Sequence, residues 1–488
     1  MFRYLILLVG MLITLSANAD ITDYRVYYGD INGDGLSEDI YFHYVPSPGG
    51  NSFAIYEAGS NISQRLTLNG RQRNRLGLTR DTDLTIEDVN NDSVDDIKVQ
   101  PVPGWFGLIL GQANIDPNGV YICYDSQIND RDNDSLCDDM EIELLGTDPD
   151  LSDTDNDGLS DAAEYLGLVN GVELHTFGVN PLRQDILIEM DYYPDFQLDS
   201  EAISMVVDAF ANAPTPNPDG STGINVVFDV DDAIATGDID PNLEPFMDEF
   251  MVLRDAYFTP NREGLFRYAL IADRYDSGTS SGYAFDIPGA NMLVTLGGFD
   301  GGTVQEQAGT LMHELGHLIG LRHGGDENRN YKPNYLSIMN YSYQFRGLRV
   351  DGEQGVLDFS RLEIDPVDEA DLHERRAMSP TGSTTEAELS QYRVWFPRIG
   401  WVRGNANRNL DWNDDAIIEG NIGATDLNAN NNSSNVFRRS PNDWSNISIR
   451  GDDDMRIIHD GNSAGGAPLY SLSGVYDPAD GCMSIHDH

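Results

Sequence analysis

Apolar positions change their spacing along the chain. Between residue 20 and about residue 125, short runs such as Ile40-Tyr41-Phe42 and Ile97-Lys98-Val99 are separated by Gly, Pro and Asn. That is the pattern of brief strands closed by turns. From about residue 181 the runs lengthen. Asp185 to Met190 predicts a buried strand, and further strands are predicted at 224–228, 266–272 and 292–296. A helix is predicted from Ser200, read as its cap, through Phe210, with Glu201 in its first turn. A second helix is predicted from Thr303 to Ile319. Strands interleaved with helices predict an α/β or α+β domain with helices packed on a sheet, and α+β is the class expected here. Beyond residue 350 the periodicity fades, and 430–446, rich in Asn and Ser, reads as irregular.

The first residues follow another pattern. Arg3 precedes an apolar stretch from Tyr4 to Leu15, too short to span a bilayer comfortably, and Ala17-Asn18-Ala19 is a small-x-small cleavage site. This predicts a signal peptide over 1–19, a mature chain from Asp20 and a secreted or periplasmic protein. No later segment has the length and apolarity of a membrane span.

Composition sharpens this picture. The 488 residues carry 81 acidic and 30 basic side chains, a net charge of −51, and Lys98 and Lys332 are the only lysines. Such a surface repels nucleic acid and anionic membranes and suits divalent cations. Of the three cysteines, Cys123 and Cys137 flank one acidic loop and form the expected disulfide, leaving Cys482 over.

Many of the acids fall at ligand spacing. Asp153, Asp155 and Asp157 alternate, Gly158 follows, then Asp161 and Glu164. Alternation lets short carboxylates converge on one ion, and Gly permits the sharp turn. These residues resemble an EF-hand loop. Asp130, Asp132, Asp134, Asp138 and Glu141 repeat the pattern with Ser135 in place of the Gly, and Leu145-Gly146-Thr147-Asp148-Pro149 resembles the spacer of thrombospondin type 3 repeats. Earlier, Asp30, Asn32, Asp34 and Glu38, and then Asp88, Asn90, Asp92 and Asp96, form two weaker loops that resemble those of FG-GAP repeats. All are candidate structural calcium sites. Asp411 to Asp415, with Asp426 and Asn428, is a further candidate cation loop.

The chemistry rests on His313-Glu314-Leu315-Gly316-His317 and the following Gly320 and His323. Positions four apart on a helix differ by only ~40° around the axis, so His313 and His317 share a face. Gly320 lets the helix stop and the chain return to deliver His323. Three imidazoles with a fourth position left for water make a catalytic zinc arrangement, and Glu314 is placed to act as general base. The remaining histidines carry no ligand spacing.

These residues resemble the long zinc signature of the metzincin metallopeptidases, and Ser337-Ile338-Met339-Asn340-Tyr341 resembles the Met-turn of that clan's astacin and serralysin branches. The resemblance implies a twisted, mainly parallel sheet, Met339 as the floor of the site, and Tyr341 as a resting zinc ligand that stabilises the reaction's oxyanion. It also makes 281–289 similar to the edge strand above the cleft. The expected organisation is a β-rich FG-GAP-like region over 20–125, which is either a module or a removable propeptide. Calcium-loop repeats follow over 126–180 and a zinc metallopeptidase domain over 181–350. Residues 351–488 are an extension of that domain or a separate one. In the propeptide reading, Cys123 could instead cap the zinc as a thiolate. The expected activity is zinc-dependent endopeptidase cleavage of protein or peptide substrates, with matrix or cell surface as partners of the N-terminal modules. The alternative is a calcium-dependent adhesion protein with an inactive zinc site.

Overall fold

The computed structural model describes the backbone of strands between Tyr24 and Ile122, and residues 131–450 apart from short stretches. The signal-peptide segment, Cys123, Cys137 and Cys482, Asp130, and the side chains of Asp30, Asn32, Asp34, Glu38, Asp88, Asn90, Asp92 and Asp96 lie outside the described residues. Residues up to Ser152, with Tyr165–Gly167, make one compact unit, and Asp153–Glu164 with Leu168 onward make another. The division falls between the two EF-hand-like loops.

The first unit contains two antiparallel four-stranded sheets. One joins Tyr24–Gly29, Glu38–His43, Ser52–Tyr56 and Gln64–Thr67 in that order. The other joins Leu84–Glu87, Asp96–Val102, Trp105–Ile109 and Val120–Ile122. Each weaker acidic stretch falls between the first two strands of a sheet.

The second unit begins with its acidic loop and Asp161–Glu164, the first residues of a short helix α1 (Asp161–Leu166). Its centre is a five-stranded sheet of β1 (Asp185–Tyr192), β2 (Asn225–Ala233), β3 (Arg267–Ala272), β4 (Gly282–Phe285) and β5 (Asn291–Thr295). The order is β2-β1-β3-β5-β4. The pairs β1–β2, β1–β3 and β3–β5 are parallel, whereas β4 runs antiparallel to β5 at the edge. A mixed α/β unit with a parallel-rich sheet and few helices is therefore present.

Strand periodicity decides what each face buries. Ile186, Ile188 and Met190 of β1 enter one core with Ala202, Val206 and Phe210 of α2 (Ser200–Ala211) and with Leu311, Met312 and Leu315 of a later helix. Leu187 faces the other way, with Tyr268, Leu270 and Leu293, against Phe246, Phe250 and Leu253 of α3 (Phe246–Tyr257). Each fully buried Leu, Ile or Phe contributes about 1.5–3 kcal/mol from apolar burial, so both faces hold the sheet. Asp199 rather than Ser200 caps α2, because its extended backbone lets the side chain accept the Glu201 N–H at 2.8 Å.

The later helix is α4 (Val304–Leu318), which lies against β4 and β5. Thr303 and Glu306 close a capping box at its start. The described part of 351–450 belongs to the same unit and returns to this core. Trp444 and Ile449 are buried in it, and Trp444 Nε1 donates to Asp358 at 2.8 Å. Among the described residues, no helix is long and apolar enough to cross a membrane.

Candidate metal centre

Helix α4 carries His313, Glu314 and His317 in its last turns, all buried. It ends as expected at Gly320, whose φ of 98° lies in the left-handed region that L side chains avoid. There the Gly320 N–H bonds His317 O at 2.9 Å and the Leu321 N–H bonds Gly316 O at 2.9 Å, closing the helix C-terminus. The chain turns and brings His323 to the other two histidines. One ring nitrogen from each lies within 4.8 Å of the others.

Hydrogen bonds fix which nitrogens converge. Nδ1 of His313 is 2.9 Å from Ile338 O, and Nδ1 of His317 is 2.7 Å from Leu321 O. A carbonyl only accepts, so each Nδ1 carries the proton and each Nε2 keeps its lone pair. His323 Nδ1 lies 3.1 Å from Asn330 Oδ1, which sets the same tautomer. Nε2 of His317 and His323 then face each other at 3.1 Å, both as acceptors, while His313 Nε2 has no hydrogen-bond partner. Converging lone pairs in a buried pocket need a cation between them. Burial pushes all three imidazoles toward the neutral form, His317 to about 4 and His313 and His323 well below their usual value, with neighbouring histidines adding to the shift of those two. The donor set fits zinc.

The walls are equally specific. Tyr341 lies with its ring centroid 4.4 Å from that of His323 and 5.7 Å from that of His313. Met339 is fully buried beneath the helix, and its sulfur occupies the space that a Cβ on Gly316 would need. Gly282 of the edge strand lies against Glu314 in the same way. The segment holding Met339 is braced from afar, for Ser337 Oγ donates to Asp443 Oδ2 at 2.7 Å and Tyr335 OH does so at 2.8 Å. Asn340 Nδ2 donates to Lys332 O and Tyr335 O. Buried Lys332 reaches Gly324 O at 3.0 Å and Glu327 at 3.0 Å, steadying the turn after His323. Asn330, Lys332, Gly282 and Asp443 were not visible as site residues in the sequence. Asn330 lay near the motif and Gly282 within the segment 281–289 that resembles an edge strand, but Lys332 and Asp443 carry no local signal.

The two described acidic loops share one internal geometry. The carboxylate at the ninth position turns back to the second. Asp161 accepts the Thr154 N–H at 2.9 Å and its hydroxyl at 2.7 Å, and Asp138 accepts the Arg131 N–H at 3.2 Å and its Nε at 2.8 Å. The groups whose ligand oxygens gather are Asp132, Asp134 and Glu141 in the first loop and Asp153, Asp155 and Asp157 in the second. Glu164 joins Asp157 together with Asp185, which the sequence offered only as a strand start. Asp161 and Asp138 are in neither described group. At Asp411, the carboxylate accepts backbone N–H groups of Asp415 and Ala416, and Asp426 pairs with Arg398. Three ligand atoms do not gather there among the described residues.

No protein-family model matches the chain. No curated protein matches it either. Among solved structures, metalloproteinase-II from Bacteroides fragilis is similar over 68% of this chain and 87% of its own, at 12% identity and a TM-score of 0.23. So distant a likeness supports neither a fold nor an activity, and the functional reading rests on the site.

Proposed function

We propose that this chain is a secreted zinc-dependent endopeptidase of the metzincin type. The observation that carries the reading is the convergence of three Nε2 lone pairs beside a buried glutamate. A structural zinc site has no use for that glutamate. The five-stranded sheet with one antiparallel edge strand, the helix ended at Gly320 and the methionine packed against Gly316 of the histidine helix also support it.

His313, His317 and His323 would hold the ion. Zinc, when bound, supplies Lewis acidity, polarising the substrate carbonyl and acidifying water toward a pKa of ~7. Glu314 accepts the proton of the attacking water and returns it to the leaving amine nitrogen. The Tyr341 hydroxyl donates to the carbonyl oxygen as charge grows there. Edge strand β4 offers its free side to an extended peptide, which would bind as an added strand. Calcium in the loop of Asp132, Asp134 and Glu141 has a structural role, and an N-terminal signal peptide directs export.

The test is cleavage of fluorescent casein by the purified protein, beside Glu314→Ala, with and without 1,10-phenanthroline. The expected result is cleavage by the unmodified protein alone, lost with the chelator and restored by zinc. Equal cleavage by Glu314→Ala would sink the mechanism. Zinc retention without any cleavage, also after removal of the N-terminal region, would favour the adhesion reading.

A further inference from the structure

The loop from Asp153 to Glu164 does not close on itself. One carboxylate oxygen from each of Asp153, Asp155 and Asp157 lies within 4.8 Å of the others, and the same holds for Asp157, Glu164 and Asp185. Asp185 is the first residue of β1, the strand flanked on both sides by the central sheet. We propose that Asp153, Asp155, Asp157, Glu164 and Asp185 form one calcium site that fastens the acidic loop to the first strand of the sheet supporting the histidine helix. The inference does not depend on the peptidase reading.

Several independent observations point to a bound ion. Glu164 is 2% exposed, and neither of its carboxylate oxygens receives a hydrogen bond from an N–H or hydroxyl; the group it meets is the Asp185 carboxyl. Asp155 Oδ2 is likewise buried without one. Carboxylates stripped of water and of donors need a cation or a proton. Two oxygens on opposite sides of a calcium ion lie ~4.8 Å apart, because Ca–O distances are about 2.3–2.6 Å, so the oxygens within each group are close enough to share one ion, and Asp157 belongs to both groups.

The backbone is shaped for the same task. Asn156 has a φ of 63° and Gly158 one of 106°, which curl the loop inward. The carboxylates also carry hydrogen bonds that aim them. Asp157 Oδ2 accepts the Asp185 N–H at 2.7 Å, and Asp185 accepts the Asn180 N–H at 3.0 Å and Asn225 Nδ2. Arg450 pairs with Asp153 at 2.7 Å on the rim, offsetting one of the five charges. Asp157, Asp185, Arg267 and Arg450 line a small adjoining cavity, which leaves room for a water ligand. Calcium accepts six to eight oxygens in loose geometry, whereas magnesium demands a near-ideal octahedron, so this crowded carboxylate set favours calcium.

The experiment uses the full chain, freed of calcium with EGTA, and compares it with Glu164→Gln and Asp185→Asn. Bound calcium is counted after equilibrium dialysis, and melting is followed with and without calcium chloride. Each variant should bind one calcium fewer, or bind it roughly tenfold or more weakly. Glu164→Gln loses no hydrogen bond from an N–H or hydroxyl, keeps a group able to donate to Asp185, and removes a buried charge. In EGTA it should melt above the parent, and in calcium below it. Unchanged stoichiometry and an unchanged calcium-induced shift in both variants would overturn the site. Loss in Glu164→Gln alone would overturn the part assigned to Asp185. Should Asp185→Asn not fold, a crystal of the parent grown in calcium decides, since an ion within about 2.3–2.6 Å of Asp185 is required.

Discussion

Gly282 on the edge strand and Glu314 on the histidine helix are packed so closely that a Cβ on Gly282 would collide with Glu314 Oε1. The same Cβ would lie 2.8 Å from the backbone carbonyl oxygen of Leu293 on β5, so the backbone cannot yield and the Glu314 carboxylate must. The edge strand thus sets the position of the proposed general base. Gly282→Ala should lower kcat by about 10²-fold, the scale of a 1 Å misplacement, while zinc content stays at one per chain. Wild-type kcat in a zinc-loaded, folded Gly282→Ala protein would show that the contact has no bearing on catalysis.

Zinc removal should destabilise the second unit. With His317 and His323 presenting lone pairs to each other at 3.1 Å, the folded protein binds the ion and the unfolded chain lacks the site. At a zinc concentration about a hundred times Kd the ion contributes ~2.7 kcal/mol, roughly 4 °C in Tm for a unit of this size. Calorimetry before and after dialysis against a zinc chelator measures it. Glu314→Gln should keep the shift, which separates metal binding from catalysis. An identical Tm with and without zinc would count against the histidine site.

Asn330 anchors the least constrained of the three ligands. His313 and His317 are oriented by backbone carbonyls, which no substitution removes, whereas His323 relies on side chains, Asn330 at 3.1 Å first and Asn328 beside it. Asn330→Ala should weaken zinc binding by roughly 10–100-fold, the usual effect of losing a partner behind a metal ligand. Competition with a chromogenic chelator gives the affinity. Excess zinc should then restore most of the activity, an outcome that loss of folding would not produce.

These dependencies explain what the sequence could and could not disclose. Helix α4 and its histidines were legible because ligand spacing and helical pitch are local: the predicted helix over 303–319 corresponds to Val304–Leu318 between its caps Thr303 and Ile319. The strands were legible from runs of buried residues, with ends shifted by a residue or more; β2, expected over 224–228, runs on to Ala233 where its side chains become exposed. Gly282 and Asp185 were not readable as site residues, because their roles arise from sheet order. β4 reaches Glu314 by pairing with β5 at the edge, and Asp185 meets Glu164 because β1 starts beside the loop. Asp443 is 106 residues from Ser337, in a segment without periodicity, and only the folded chain unites them.

That last contact makes stability depend on pH. Asp443 is fully buried, and its Oδ2 accepts from Tyr335 OH, Ser337 Oγ and the Ser360 N–H at 2.7–2.8 Å. Oδ1 has no partner. Burial outweighs the three donors and pushes the carboxyl up to about 7. The folded state therefore holds this proton more tightly than the unfolded chain does. The resulting stabilisation is complete below about pH 4, the unfolded value, and is lost as pH rises through about 7. Asp443→Asn keeps an acceptor for the three donors and mimics the neutral acid, but it cannot ionise. Its stability relative to the parent should climb between pH 4 and pH 8 by an amount on the order of a few kcal/mol, seen as a widening gap in Tm. Melting curves of both proteins across that range test it. The difference between them isolates Asp443 from every other titrating group, since those are common to both. A difference that stays flat would mean that Asp443 is ionised throughout and the three donors outweigh burial.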